Sequence, residues 1–342
     1  MRATNDFDII LRHPSWSSIP WLPMGTILFM RGGSHAYGLN TPESDIDFRG
    51  VAIPPPAYFH GFLNRFAQAE LKGDPDVVVY DIRKFMSLAA EGNPSVLELL
   101  FVDTPDVIHM TDEGMCLREN REQFLSQKVK HTFSGYAMQQ LKRIATHRRW
   151  LLEPPTHKPT RGEFDLLETS VLDASLRGAI NSLVDGEEKY TDDHLHQMFG
   201  GAIMGVYERE RRYHNALREW ENYQRWLKTR NPERAANEAK FGYDTKHAMH
   251  LVRLMRMCRE ILTRGTVVVK RPDREELLAV RRGAWKYETL IQWAIDQDVD
   301  LDRVQAESLL PHDPNRVDLD YLCQQLVEKH HRRARDAHLR VQ

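Results

Sequence analysis

Residues 32–50 run Gly-Gly-Ser-His-Ala-Tyr-Gly-Leu-Asn-Thr-Pro-Glu-Ser-Asp-Ile-Asp-Phe-Arg-Gly, and the residue types there could do chemistry. The Gly32-Gly33-Ser34 turn follows an apolar run. Such a turn can present backbone N–H groups and a hydroxyl to phosphate oxygens, especially where a helix begins. Asp45 and Asp47 stand two residues apart. On a strand they would share one face, about 7 Å apart along the chain. Carboxylates so placed repel each other unless cations neutralise them. Magnesium does this well, since it is usually held by a few carboxylates together with substrate phosphates. The plainer alternative is a solvated strand end.

Joined at this spacing, with a strand before and after, the Gly-Ser turn and the Asp-x-Asp pair resemble the polymerase-beta-like nucleotidyltransferases. More of the chain extends the likeness: Ser44-Asp45-Ile46-Asp47-Phe48-Arg49-Gly50-Val51, Tyr80-Asp81-Ile82-Arg83-Lys84-Phe85, Asn93-Pro94-Ser95-Val96-Leu97-Glu98-Leu99-Leu100 and Tyr243-Asp244-Thr245-Lys246-His247-Ala248-Met249-His250-Leu251-Val252-Arg253-Leu254. These stretches resemble the RNA-ligase-associated, or RNA-repair, branch of that superfamily. The likeness covers most of 25–105 and 240–295.

The resemblance implies two metal ions on Asp45 and Asp47 and a third carboxylate on a neighbouring strand. Asp76 is the favoured third. It opens the Val77-Val78-Val79-Tyr80 run and would share a face with Val78 and Tyr80. Asp81 competes, but points to the opposite face and reads as a helix cap, while Asp74 beside Pro75 reads as a turn residue. The implied cofactor is Mg2+, as two ions, with Mn2+ as a substitute. One ion would activate an acceptor hydroxyl. The other would hold the triphosphate and the leaving pyrophosphate during in-line displacement. Gly33 and Ser34 would cradle phosphates. Arg49, two residues after Asp47, would meet phosphate or pair with a neighbouring carboxylate. Arg31 and Lys84 are lesser candidates of the same kind.

The elements that must position these groups can be read around them. Residues 26–30 form a short apolar run that stops at Gly32-Gly33, as a buried strand entering a turn would. Residues 45–53 alternate and end at Pro54-Pro55-Pro56, which no sheet interior accepts. Residues 76–80 make a third strand. Asp81 then caps a helix carrying Phe85, Leu88 and Ala89 on one face, and another helix starts near Asn93-Pro94-Ser95. From about Lys128 helical spacing dominates, with helices expected over 136–151, 166–183, 194–226 and 244–263, the last stopped by Gly265. Residues 266–269 suit a short strand or an extended arm. The fold class is therefore α+β. A small mixed-sheet polymerase-beta-like head over 1–115 precedes a mostly helical domain over 116–342, which would bind nucleotide or RNA.

The net charge of -2 over 342 residues hides a split. The first 127 residues carry 10 Lys and Arg against 17 Asp and Glu, and the remainder carries 37 against 32. An acidic front and a basic back suit different partners. In the helix over 244–263, Lys246, His250 and Arg253 fall on one face, opposite an apolar stripe of Leu251, Met255, Cys258 and Leu262. That cationic face would suit nucleotide phosphates or RNA, or would simply be solvated. His247 and His250 lack the further His or Cys that zinc needs. Residues 128–160 carry seven Lys or Arg against one Glu, with Tyr136 and Trp150 interleaved. Charge and stacking of this kind can hold single-stranded nucleic acid, so Lys128, Lys130, Lys142, Arg143, Arg148 and Arg149 are RNA-binding candidates. In 208–230 the acidic residues dilute the charge, and a helix laced with salt bridges is expected.

Cys116, Cys258 and Cys323 are too scattered for a disulfide framework or zinc cage, and neither a signal peptide nor a membrane span is visible. The expectation is a soluble cytoplasmic protein with no membrane partner. The expected activity is nucleotide transfer from an NTP to an RNA end, of tRNA or a repair substrate, with pyrophosphate released. The resemblance also implies association with an RNA ligase. The alternatives are transfer to a protein or small molecule, as toxin or antitoxin nucleotidyltransferases do, and a silent nucleotide- or RNA-binding module.

Overall fold

The computed structural model describes residues 3–42, 44–73, 75–185 and 191–339. Glu43 and the expected turn residue Asp74 lie outside them. Five strands, β1 (Thr26–Arg31), β2 (Asp47–Ala52), β3 (Gln68–Leu71), β4 (Asp76–Asp81) and β5 (Val107–Met110), form one mixed sheet in the order β3-β4-β2-β1-β5. The β2–β4 pair is parallel and the other pairs are antiparallel. In β1, Ile27 to Met30 are all fully buried, which explains its unbroken apolar run.

β2 and β4 alternate instead. Phe48, Val77 and Val79 face a core that also holds Phe7, Leu11, Trp16, Leu22 and Phe29. Successive side chains point to opposite faces of a sheet, so Asp47, Arg49, Asp76 and Val78 fall on the other face. The Asp81 carboxylate accepts from the Arg83 N–H at 2.7 Å and caps the helix Ile82–Ala90. Asn93 caps Pro94–Leu97 in the same way. The Asp81 cap is the one the sequence indicates, Asn93 stands where the next helix is expected to start, and both satisfy N–H groups that lack partners within the helix.

The chain forms two compact units: Met1–Ile144 with Asp244–Gln342, and Ala145–Tyr243. This division does not follow a cut at 115/116, because the sheet and the last hundred residues share one unit. In that unit the helix Thr245–Arg264 packs against Arg274–Arg281 and Tyr287–Glu307. It is capped by Asp244 and ended by Gly265 in the left-handed region, φ 65°. The second unit has its own apolar cluster of Leu172, Ile180, Leu195, Met204 and Tyr207.

Two expected elements come out differently. Residues 166–173 are not helical, and the helix there is Ala174–Asp185. Residues 194–226 are split into Asp192–Phe199 and Gly201–Thr229 by Gly200, whose φ of 82° no helix accommodates. Residues 266–269 join no sheet and run as an extended arm with Val267 and Val269 buried. Among the described residues, no helix is long and apolar enough to cross a membrane.

Candidate active site

Asp47 and Asp76 are direct register partners on the parallel strands β2 and β4. Between them lies the Arg49 guanidinium, 3.3 Å from the Asp47 carboxylate and 3.2 Å from that of Asp76. Of the two fates open to Arg49, the structure shows the ion pair with neighbouring carboxylates. Asp45 stands exposed two residues before Asp47, ahead of the strand rather than within it. Strand pairing ends there, because the Gly32 N–H donates to the Asp47 carbonyl at 2.8 Å and β1 turns away. Asp81 takes no part: it is buried, caps its helix and pairs with Arg83 at 2.8 Å.

The turn after β1 is pressed against Asp47. Gly33 has φ 56°, and a Cβ there would lie 1.9 Å from Asp47 Oδ2. Both facts exclude any other residue without displacement of the carboxylate. Gly33 opens a single helical turn, Gly33–Ala36, in which Ser34 is half-buried. Burial raises the Asp47 carboxyl above its ordinary value; Arg49 pulls it down, and the charges of Asp76 and Asp45 push it up again. The donor set suits a hard divalent cation. Asp47 and Asp76 stand side by side with positive charge already drawn between them in the form of Arg49, and Asp45 is near enough for its charge to be felt at Asp47.

Behind the turn lies a buried polar cluster that the sequence does not single out. The Tyr37 hydroxyl, at the end of the Gly33–Ala36 turn, donates to Glu98. Arg253 pairs with the other Glu98 oxygen at 3.3 Å and stacks over the Tyr37 ring at 3.6 Å. All three residues are buried. Burial raises the Glu98 carboxyl, and Arg253 is the principal opposing influence. The visible signal was Glu98 itself, a lone charge within Val96-Leu97-Glu98-Leu99-Leu100.

Arg253 is thus placed in the interior, on neither a nucleotide-facing nor a solvated face. Lys246 and His250, expected beside it, are half-buried. His247 pairs with its cap residue Asp244 at 2.9 Å. The basic stretch over 128–160 is also largely committed. Lys128 pairs with Glu91 and Asp313, and the buried Lys130 pairs with Asp298 and Asp302. Arg148 donates to the Gly242 carbonyl at 3.1 Å, and Arg149 pairs with Glu219 at 2.5 Å. Lys142 and Arg143 remain exposed. Trp150 is buried against Tyr223 and Trp226 rather than offered to bases. Over 208–230, Glu210 and Glu219 pair outward with arginines of other elements, Arg161 and Arg149.

The model of the RNA repair pathway DNA polymerase beta family matches residues 21–328. The chain belongs to this family. Membership in the polymerase beta family supports a nucleotidyltransferase-type activity, in agreement with the resemblance carried by the Gly-Ser turn and the aspartates. Divalent metals are generally used by such enzymes. The chain is also similar to an uncharacterised 38.9 kDa protein from the nrdC–mobD intergenic region of Enterobacteria phage T4, with 29% identity over 128 residues. That match covers 34% of this chain and 38% of the phage protein. No solved structure matches the chain.

Proposed function

We propose that the protein is a magnesium-dependent nucleotidyltransferase that moves a nucleotide from an NTP onto an RNA end and releases pyrophosphate. The observation that carries this reading is the side-by-side placement of Asp47 and Asp76 against the Gly33 turn, with Asp45 just ahead. Asp45, Asp47 and Asp76 would hold magnesium, which when bound supplies Lewis-acid polarisation of the phosphates and lowers the pKa of an acceptor hydroxyl. Gly33 and Ser34 would present backbone N–H groups and a hydroxyl to the phosphates. Arg49, already between two carboxylates, restrains their mutual repulsion and is near enough to follow a phosphate. The family's association with RNA repair supports an RNA acceptor; a cytoplasmic setting and an accompanying RNA ligase are part of the proposal.

The test incubates the full chain with labelled NTPs, magnesium and total RNA. Label should appear on RNA, and Asp47→Ala or Asp76→Ala should reduce it by more than about 100-fold, since metal-assisted charge stabilisation is worth several kcal/mol. Label on protein alone, or transfer that survives both substitutions, refutes the reading. Asp47→Ala should not lower the melting temperature, because burial already disfavours the charged carboxylate.

A further inference from the structure

On the β1/β5 side of the Gly33 turn, a cleft of about 640 Å³ is lined by Arg31, His35, Asn40, Ile46, Lys270 and Arg274, among others. Pro105 and Asp106, just before β5, close its far side. The carboxylates belong to β2 and β4, on the other side of β1 in the sheet order. Ile46, which stands between Asp45 and Asp47, also lines the cleft, so the cleft opens beside the start of the carboxylate strand.

The cleft wall is built before any ligand arrives. The Arg271 N–H donates to the Tyr37 carbonyl at 3.0 Å, and Arg274 Nε donates to the Gly38 carbonyl at 2.6 Å. Arg271 itself is buried and committed to Glu260 and Asp273. Its neighbours differ. Among the described residues, Lys270 is exposed and Arg31 half-buried, and neither side chain makes a hydrogen bond or ion pair. The buried Nε2 of His35 has no hydrogen-bond partner there either. Asp106 is the one acidic residue in the lining. Phosphate oxyanions are the chemistry such a wall recognises. No Phe, Tyr or Trp lines the cleft, so bases would find no stacking platform and would go unread.

We propose that this cleft is the track for the phosphodiester backbone of the RNA acceptor, held by Arg31 and Lys270 without base preference, while Arg274, bonded to the Gly38 carbonyl and paired with Glu275, shapes the wall. The proposal rests on the reading of the protein as an RNA nucleotidyltransferase. A strand with its terminal hydroxyl at the carboxylates would continue past the turn into the cleft. Of the cations expected to serve this purpose, Lys128, Lys130 and Arg149 are already paired with carboxylates, while Lys142 and Arg143 stay exposed on a helix that does not line the cleft.

The test measures binding of short fluorescent single-stranded oligoribonucleotides, of mixed and of single-base sequence, to the full chain over a range of salt. Each phosphate contact contributes about 0.7 to the slope of log K against log salt for a single strand, hence about 5-fold at 0.1 M. Arg31→Ala with Lys270→Ala should therefore lower RNA affinity about 25-fold and the slope by about 1.4. Arg12→Gln, which removes an exposed charge just after the helix Ala3–Leu11, serves as the control and should move neither. MgATP affinity is measured in parallel. A loss for MgATP that equals or exceeds the loss for RNA assigns the cleft to the triphosphate and overturns the proposal. Unchanged RNA binding, or strong base preference that survives the double substitution, overturns it too. If the wild-type chain binds no RNA, the cleft proposal and the RNA reading fail together. If RNA binds through the cleft but accepts no label, the cleft stands and the transfer reading fails.

Discussion

Replacing Arg253 by Met keeps an unbranched apolar stem in the interior and removes the charge that answers Glu98. Both partners are buried, 3.3 Å apart, and Glu98 then has only Tyr37 as a hydrogen-bond donor. Removing one member of a buried ion pair costs about 3–5 kcal/mol, because the other is left uncompensated. In a unit this large each kcal/mol moves the melting temperature by about 2–4 °C, so Arg253→Met should lower it by about 6–20 °C. The loss should depend on pH. Burial already raises the Glu98 carboxyl, and without Arg253 less opposes the rise. A carboxyl with a raised folded pKa binds its proton more tightly folded than unfolded. Stability is therefore gained as pH falls through that folded pKa, and the gain is complete below the ordinary value. Thermal melts of the full chain from neutral pH downward should show the deficit of Arg253→Met shrinking in acid. Adding Glu98→Gln should restore much of the loss at neutral pH. A deficit under about 1 kcal/mol, a pH-independent deficit, or a double variant no better than the single one would refute the argument.

Other outcomes follow from the same geometry. Gly33→Ala puts a methyl where Asp47 Oδ2 now lies; it should abolish label transfer and weaken magnesium binding measured by calorimetry. Because the Asp47 carboxyl is raised by burial, magnesium affinity should begin to fall at a higher pH than an ordinary aspartate predicts, and Arg49→Gln should move that fall higher still, which a magnesium titration over pH would show. Asp81→Ala should cost about 1–2 kcal/mol as the loss of a helix cap, visible in chemical denaturation, while transfer activity measured below the melting range is retained. Asp76→Ala should do the reverse.

Local signals carried much of the architecture. The apolar run of β1, the alternation in β2 and β4, and the caps Asp81, Asn93 and Asp244 all depend on neighbours a few residues away. Asp76 could be placed beside the Asp-x-Asp pair by face and by the resemblance, and the register supplies the direct pairing with Asp47. What stayed hidden depends on distant partners. Lys128 and Lys130 looked available because their acids lie far along the chain, Asp298, Asp302 and Asp313 among them. Arg253 fell on a polar face by spacing but meets Glu98, 155 residues earlier. β3 and β5 are four residues each, too short to show a period and recognisable only through the strands they join.

The noncontiguous first unit sets an order of events at the ribosome. Glu98 leaves the exit tunnel 155 residues before Arg253, which at about 5–20 residues per second means roughly 8–30 s of synthesis. Throughout that interval the nascent sheet carries its aspartates but not the guanidinium that braces the Gly33 turn from behind. Maturation of the site is therefore deferred until Arg253 has emerged, and a product released early, after residue 243, would hold the aspartates on an unbraced scaffold.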